Sequence, residues 1–85
     1  MPVVVLYGRP GCCLCDEARE VVLRVRARHA FELVERNIEA DESLLRAYLE
    51  RIPVITIDGV EAFELFVDEG ELTRRVNNAR PAGLR

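Results

Sequence analysis

Apolar residues change their spacing several times along this chain, and each change marks an element. Residues 3–7, Val-Val-Val-Leu-Tyr, are a continuous β-branched and apolar run that suits a strand covered on both faces. Pro10 and Gly11 stop it. From Leu14 onward the apolar positions Ala18, Val21, Val22 and Val25 recur at spacings of three and four, with Asp16, Glu17, Arg19, Glu20 and Arg24 between them. This is the stripe of an amphipathic helix running to about His29. Its acids lie early and its arginines late, in agreement with the helix dipole.

The alternation of Phe31 and Leu33 with Glu32 and Glu35 predicts a second strand over residues 31–36. Asp41 predicts the N-cap of a second helix, with Leu45, Tyr48, Leu49 and Ile52 as its buried stripe and Pro53 as its end. Residues 53–57 and about 60–66 flank Asp58-Gly59, whose tolerance of positive φ favours a two-residue type I′ turn between antiparallel strands. Asp68 and Glu71 resemble a capping box ahead of a short last helix that buries Leu72 and Val76. Residues 79–85 have no periodicity and are expected to fray.

The expected order is therefore β-α-β-α-β-β-α, one α/β domain over residues 1–78 with a mixed four-stranded sheet flanked by helices. The first two strands should be parallel, with a right-handed crossover, and the hairpin should add an antiparallel pair. A chain of 85 residues has room for one core. Its 49% hydrophobic and 32% charged residues are the balance of an ordinary globular protein. The net charge of −3 gives no electrostatic reason to expect nucleic acid or an anionic membrane as partner. No apolar run reaches the roughly 18 residues of a membrane span, and the first residues lack a signal peptide's basic region and cleavage site. These features predict a cytoplasmic protein. Thiols stay reduced there, so clustered cysteines point to redox chemistry or metal binding rather than to structural staples.

All 3 cysteines lie in the stretch Arg9-Pro10-Gly11-Cys12-Cys13-Leu14-Cys15. Gly11 closes the loop and places Cys12 at or near the N-cap of the first helix, with Cys15 in its first turn. Residues three apart are neighbours on a helix surface, and a cap-to-third-position pair can approach the Cβ separation of about 3.8 Å that a disulfide needs. Cys12 and Cys13 are adjacent and would strain the peptide unit, while Cys13 and Cys15 project roughly 200° apart around a helix. Geometry thus pairs Cys12 with Cys15. A thiolate at a helix start is stabilised by free N–H groups and the dipole, and Arg9 adds positive charge nearby. This reading makes Cys12 the nucleophile toward a substrate disulfide and Cys15 the resolving thiol. Cys13 is a small spacer, or a third thiol able to exchange with the pair.

The stretch LYGRPGCCLC after the first strand, RIPV before the third, the ITIDG hairpin and the element order together resemble the thioredoxin superfamily, and within it a small glutaredoxin-like protein. The resemblance runs to about Val76. It implies a cis peptide bond at Pro53, packed against the active-site cysteines, and a substrate segment pairing with the backbone of Ile52. It also implies that Arg9 helps to bind a glutathione carboxylate. The expected activity is thiol-disulfide oxidoreduction on protein or small-molecule disulfides. No bound cofactor is expected beyond the redox-active Cys12–Cys15 disulfide, and the reductant would be glutathione or a thioredoxin reductase. The sequence departs from the glutaredoxin pattern in having Cys13-Leu14 between the paired cysteines instead of Pro-Tyr. Glu64, Leu65, Phe66 and Val67 stand where a Gly-Gly pair is usual. The resemblance therefore carries the thiol chemistry further than it carries the glutathione site.

Two other readings compete. Three thiolates in four residues suit a soft metal or an iron–sulfur cluster, and the hairpin and Ile52 edge would suit a redox-inert binding module. Among the remaining marked residues, Asp16 reads as a first-turn acid or a proton relay for Cys15. His29 reads as a helix-end charge, and Tyr7 as a core residue or a wall of the site.

Overall fold

The computed structural model describes residues 1–78. Its elements are strand β1 (Val3–Gly8), helix α1 (Cys13–Arg26), strand β2 (Glu32–Asn37), helix α2 (Glu42–Tyr48), the hairpin strands β3 (Val54–Ile57) and β4 (Val60–Glu64), and helix α3 (Glu69–Asn78). The sheet has the order β2-β1-β3-β4. β1 runs parallel to β2, with Gly8 opposite Asn37, and antiparallel to β3, with Tyr7 opposite Val54. This is the α/β thioredoxin-like architecture. The tail, expected to fray, lies outside the described residues. Among the described residues, no helix is long and apolar enough to cross a membrane.

One face of the sheet carries most of the core. Val4 and Leu6 of β1 and Ile55 and Ile57 of β3 pack with Ala18, Val22 and Val25 of α1 and with Leu72 and Val76 of α3. The three-and-four spacing on both helices produces this: each turns one apolar stripe to the sheet and leaves its arginines and glutamates in water. The opposite face is covered more thinly by α2, whose Leu44, Leu45 and Tyr48 reach Ile38, Ile52 and Cys15. For that reason the expectation of a first strand covered on both faces fails. Val4, Leu6 and Gly8 are buried, but Val3, Val5 and Tyr7 are only half-buried.

Other boundaries also move. α1 stops at Arg26, and residues 27–29 form a turn in which the His29 N–H still reaches the Val25 carbonyl. α2 stops at Tyr48, well before Pro53, so Leu49 lies exposed and Ile52 is buried from the following loop rather than from the helix. A 3-10 turn over Ile38–Ala40, unmarked in the sequence pattern, buries Ile38 between β2 and α2. Asp41 does cap α2, its Oδ1 accepting the N–H groups of Ser43 and Leu44. The box before α3 is half formed: Asp68 accepts the Glu71 N–H at 2.8 Å, but the Glu71 carboxylate turns instead to Arg74 and Arg75.

The hairpin forms as its sequence directs, with Asp58 and Gly59 at φ of +51° and +86°. The pairing of β3 with β4 skips Ala62, a bulge between Ile55 and Thr56 in register. Both outer strands carry charge on most of their exposed positions, at Glu32, Glu35 and Arg36 on β2 and at Glu61 and Glu64 on β4, with Asn37 and Val60 the uncharged exceptions.

Leu72 is fully buried and joins α3 to the sheet. Leu72→Ala is expected to lower the unfolding free energy by about 2–5 kcal/mol, measured by urea denaturation.

Candidate functional site

The site grows from the end of β1. Gly11 takes a φ of +78°, a conformation open to glycine at little cost, and the chain turns there into α1. Cys12 is the N-cap: its backbone is extended, and its sulfur accepts the N–H of Cys15 at 3.2 Å. Sulfur here takes the place that a serine or aspartate oxygen fills in ordinary caps. It faces the unpaired N–H groups and the positive end of a 14-residue helix. Cys12 is half-buried, Cys13 exposed and Cys15 buried, and all three are free thiols.

Cys15 sits directly on β1. A Cβ built on Gly8 would lie 2.9 Å from the Cys15 sulfur, closer than atoms tolerate. Burial pushes the Cys15 thiol up to about 11 from an ordinary 9.0. Its hydrogen bond to the Cys12 sulfur acts the same way, the Arg9 backbone amide acts against it, and the nearby charges of Cys12 and Asp16 add to the rise. The two cysteines of the motif are therefore unlike. One sulfur is at the rim, accepting N–H; the other is in the core, holding its proton.

The Ile52–Pro53 peptide bond is cis, as the resemblance implies, and both residues are buried. Ile52 shares a cluster with Cys15 and Ile38, against which the half-buried Tyr7, Cys12 and Tyr48 pack. Tyr7 and Tyr48 meet at 4.8 Å between ring centroids, so Tyr7 forms part of the wall. The segment before Pro53 is tied down from several sides. The Arg51 guanidinium lies 5.4 Å over the Tyr48 ring, pairs with Glu61 and Glu64 of β4, and donates to the Ala47 carbonyl. The Leu65 N–H donates to the carbonyls of Pro53 at 2.9 Å and Arg51 at 3.2 Å. Leu65 holds a φ of +71°, uncommon for a residue with a side chain, and leaves Phe66 70% exposed beside a small groove that Leu14 also lines. Sequence reasoning missed Arg51 and Tyr48. An arginine before the Ile-Pro pair, with two glutamates on the next hairpin, was the available signal.

Arg9 goes elsewhere. Its guanidinium lies 3.7 Å from the Glu39 carboxylate, both half-exposed, and it borders a groove of about 320 Å³ with Gly8, Cys15, Asp16, Arg19 and Glu35. Ile52 and Pro53 do not line that groove. The expected substrate-binding residues thus fall into two groups, joined only through the cysteines. His29 lies at the far end of α1, away from the site. Among the described residues, no three His, Cys, Asp or Glu side chains are placed to hold a metal ion together.

A family described as "Glutaredoxin-like domain (DUF836)" matches residues 3–77. Protein Ne2328 from Nitrosomonas europaea is 32% identical, with a TM-score of 0.75 over 87% of this chain and 89% of its own. Protein XcR50 from X. campestris is 28% identical, with a TM-score of 0.74 over 91% and 99%. A thioredoxin mutant from Halobacterium salinarum shares the fold at 18% identity, with a TM-score of 0.69 over 91% and 73%. No curated protein matches the chain. The family match, with Cys12 and Cys15 both present, supports a function of the thiol-redox type.

Two outcomes follow from the geometry. Alkylation by iodoacetamide should reach Cys13 and Cys12 well before Cys15, whose rate should still be climbing with pH through about 11, where its thiol is half-ionised; peptide mass spectrometry measures this order. Gly8→Ala should destabilise the fold by about 1–3 kcal/mol, because the added methyl meets a packed sulfur, and thermal denaturation would show it.

Proposed function

The chain belongs to the glutaredoxin-like domain family, and from that premise we propose that it is a thiol-disulfide oxidoreductase in which Cys12 attacks and Cys15 resolves. The observation that carries this reading is the division between the two sulfurs: Cys12 caps the helix at the rim, and Cys15 keeps a proton in the core. A thiolate, not a thiol, attacks a disulfide. Cys12 can meet a substrate without rearrangement, whereas Cys15 becomes the attacking group only after a mixed disulfide has formed beside it.

In the first step the Cys12 sulfur bonds to one sulfur of the substrate disulfide, and the other leaves as a thiolate. In the second, Cys15 attacks the Cys12 sulfur, the intramolecular disulfide forms, and the second substrate thiolate leaves. Two electrons pass from the dithiol to the substrate. The cycle closes when glutathione or a thioredoxin reductase returns two electrons to the Cys12–Cys15 disulfide. No bound cofactor takes part.

The substrate rests against Ile52 and Pro53, whose segment Arg51 and Leu65 hold in place. Neither a nitrogen nor a carbonyl of Ile52 has a backbone partner among the described residues, which leaves its main chain open to an extended substrate strand. Arg9 attracts an anionic substrate or reductant from the other side of the cysteines, with its charge partly offset by Glu39. The reducing cytoplasm is the compartment where this direction of electron flow operates.

Cys12→Ser should bring disulfide reduction down to the uncatalysed background, measured in parallel with glutathione plus its reductase and with a thioredoxin reductase. Cys15→Ser should instead accumulate a mixed disulfide on Cys12, visible by mass spectrometry. Full activity in Cys12→Ser would refute the assignment.

A further inference from the structure

Cys15 must lose a proton before it can resolve the mixed disulfide, and it is buried. Tyr7 of β1 and Tyr48 of α2 pack against the cluster that it forms with Ile38 and Ile52, with Cys12 at the cap. On the other side the groove of about 320 Å³ opens to solvent, bordered by Arg9, by Asp16 and Arg19 of α1, and by Glu35 and Arg36 of β2. A liquid water occupies about 30 Å³, so this groove is wide enough to connect the thiol to the surface.

Asp16 and Glu35 are the carboxylates that line it, and Glu39 lies behind Arg9 at its border. Glu35 accepts the Arg19 Nε at 2.8 Å, and Glu39 pairs with Arg9. Both of these carboxylates are occupied by guanidinium groups. Asp16, adjacent to Cys15 in the chain and in the same groove, has no side-chain hydrogen bond or ion pair among the described residues. Its first-turn position is favourable for a negative charge, but the helix cap itself is supplied by Cys12.

We propose that the Asp16 carboxylate accepts the Cys15 proton across this groove during the resolving step. The inference rests on the thiol-disulfide reading of the site and assigns the base within it. The Cys15 S–H proton passes to Asp16, the Cys15 sulfur bonds to the Cys12 sulfur, and the bond between Cys12 and the substrate sulfur breaks. The electron pair leaves on the substrate thiolate, which takes a proton from solvent, and Asp16 returns its proton to water. Proton and electron counts balance without a further reactant.

Charge alone would act in the opposite sense, which makes the role testable. Removing a negative charge beside Cys15 eases its ionisation and would speed resolution; removing the proton acceptor slows it. In a Cys13→Ser background, one equivalent of a nitrobenzoate disulfide releases one coloured thiolate as Cys12 attacks and a second as Cys15 resolves. With Asp16→Asn the first phase should still occur and the second should be slowed by roughly 10²-fold at neutral pH, the lower end of what a positioned base contributes. The deficit should shrink as the pH rises and hydroxide replaces the carboxylate, and Asp16→Glu should restore much of the rate. A second phase that is unchanged or faster in Asp16→Asn would overturn the proposal while leaving the oxidoreductase reading intact. Absence of the first phase in the parent protein would overturn that reading, and this inference with it.

Discussion

Cys15 can lie in the core only because residue 8 has no side chain. Its sulfur occupies the space over the end of β1 that any Cβ on Gly8 would need, and this contact seats the first turn of α1 on the sheet. β1 is itself fixed from both sides, through Asn37 opposite Gly8 and Val54 opposite Tyr7. The position of the buried thiol is thus inherited from the register of an inner strand. Cys12, three residues earlier, is carried to the rim by the same placement. Backbone pairing sets the chemistry of the motif before any side chain in the loop contributes.

The two sulfurs then diverge for reasons that chain position alone does not supply. Cys12 is a cap, and caps face N–H groups. Cys15 belongs to a helix stripe, and stripes face the core. Burial alone raises its proton affinity, and the hydrogen bond to Cys12 and the charge on Asp16 add to the effect. The Arg9 amide opposes them, so the loop before the helix moderates a thiol that it also hides.

The parts of the fold legible in the sequence were those governed by period. Ala18, Val22 and Val25, and Leu72 and Val76 are buried as their spacing requires, and Asp58-Gly59 makes the turn that its φ preferences select. Periodicity failed on α2. In a helix of 7 residues the stripe is set by where the helix ends, and ending at Tyr48 exposes Leu49 and brings in Leu44. Within the site, the placement of Cys12 and Cys15 could be read from a glycine loop running into a helix. The partners of Arg9 and Arg51 could not, because Glu39, Glu61 and Glu64 reach them only after the chain has folded back. Nor does a leucine advertise positive φ: Leu65 adopts it where its N–H is drawn to the Pro53 carbonyl.

The charged outer strands have a consequence for the molecule in a crowded solution. β2 and β4 each end the sheet with a row of main-chain groups that another chain could extend. Glu32, Glu35 and Arg36 on one border and Glu61 and Glu64 on the other charge that approach, and the bulge at Ala62 bends the second border out of plane. Copies colliding along these borders meet fixed charge, with Val60 at the start of β4 an apolar exception. A strand added at either border would therefore have to pair against fixed charge before it gained main-chain hydrogen bonds.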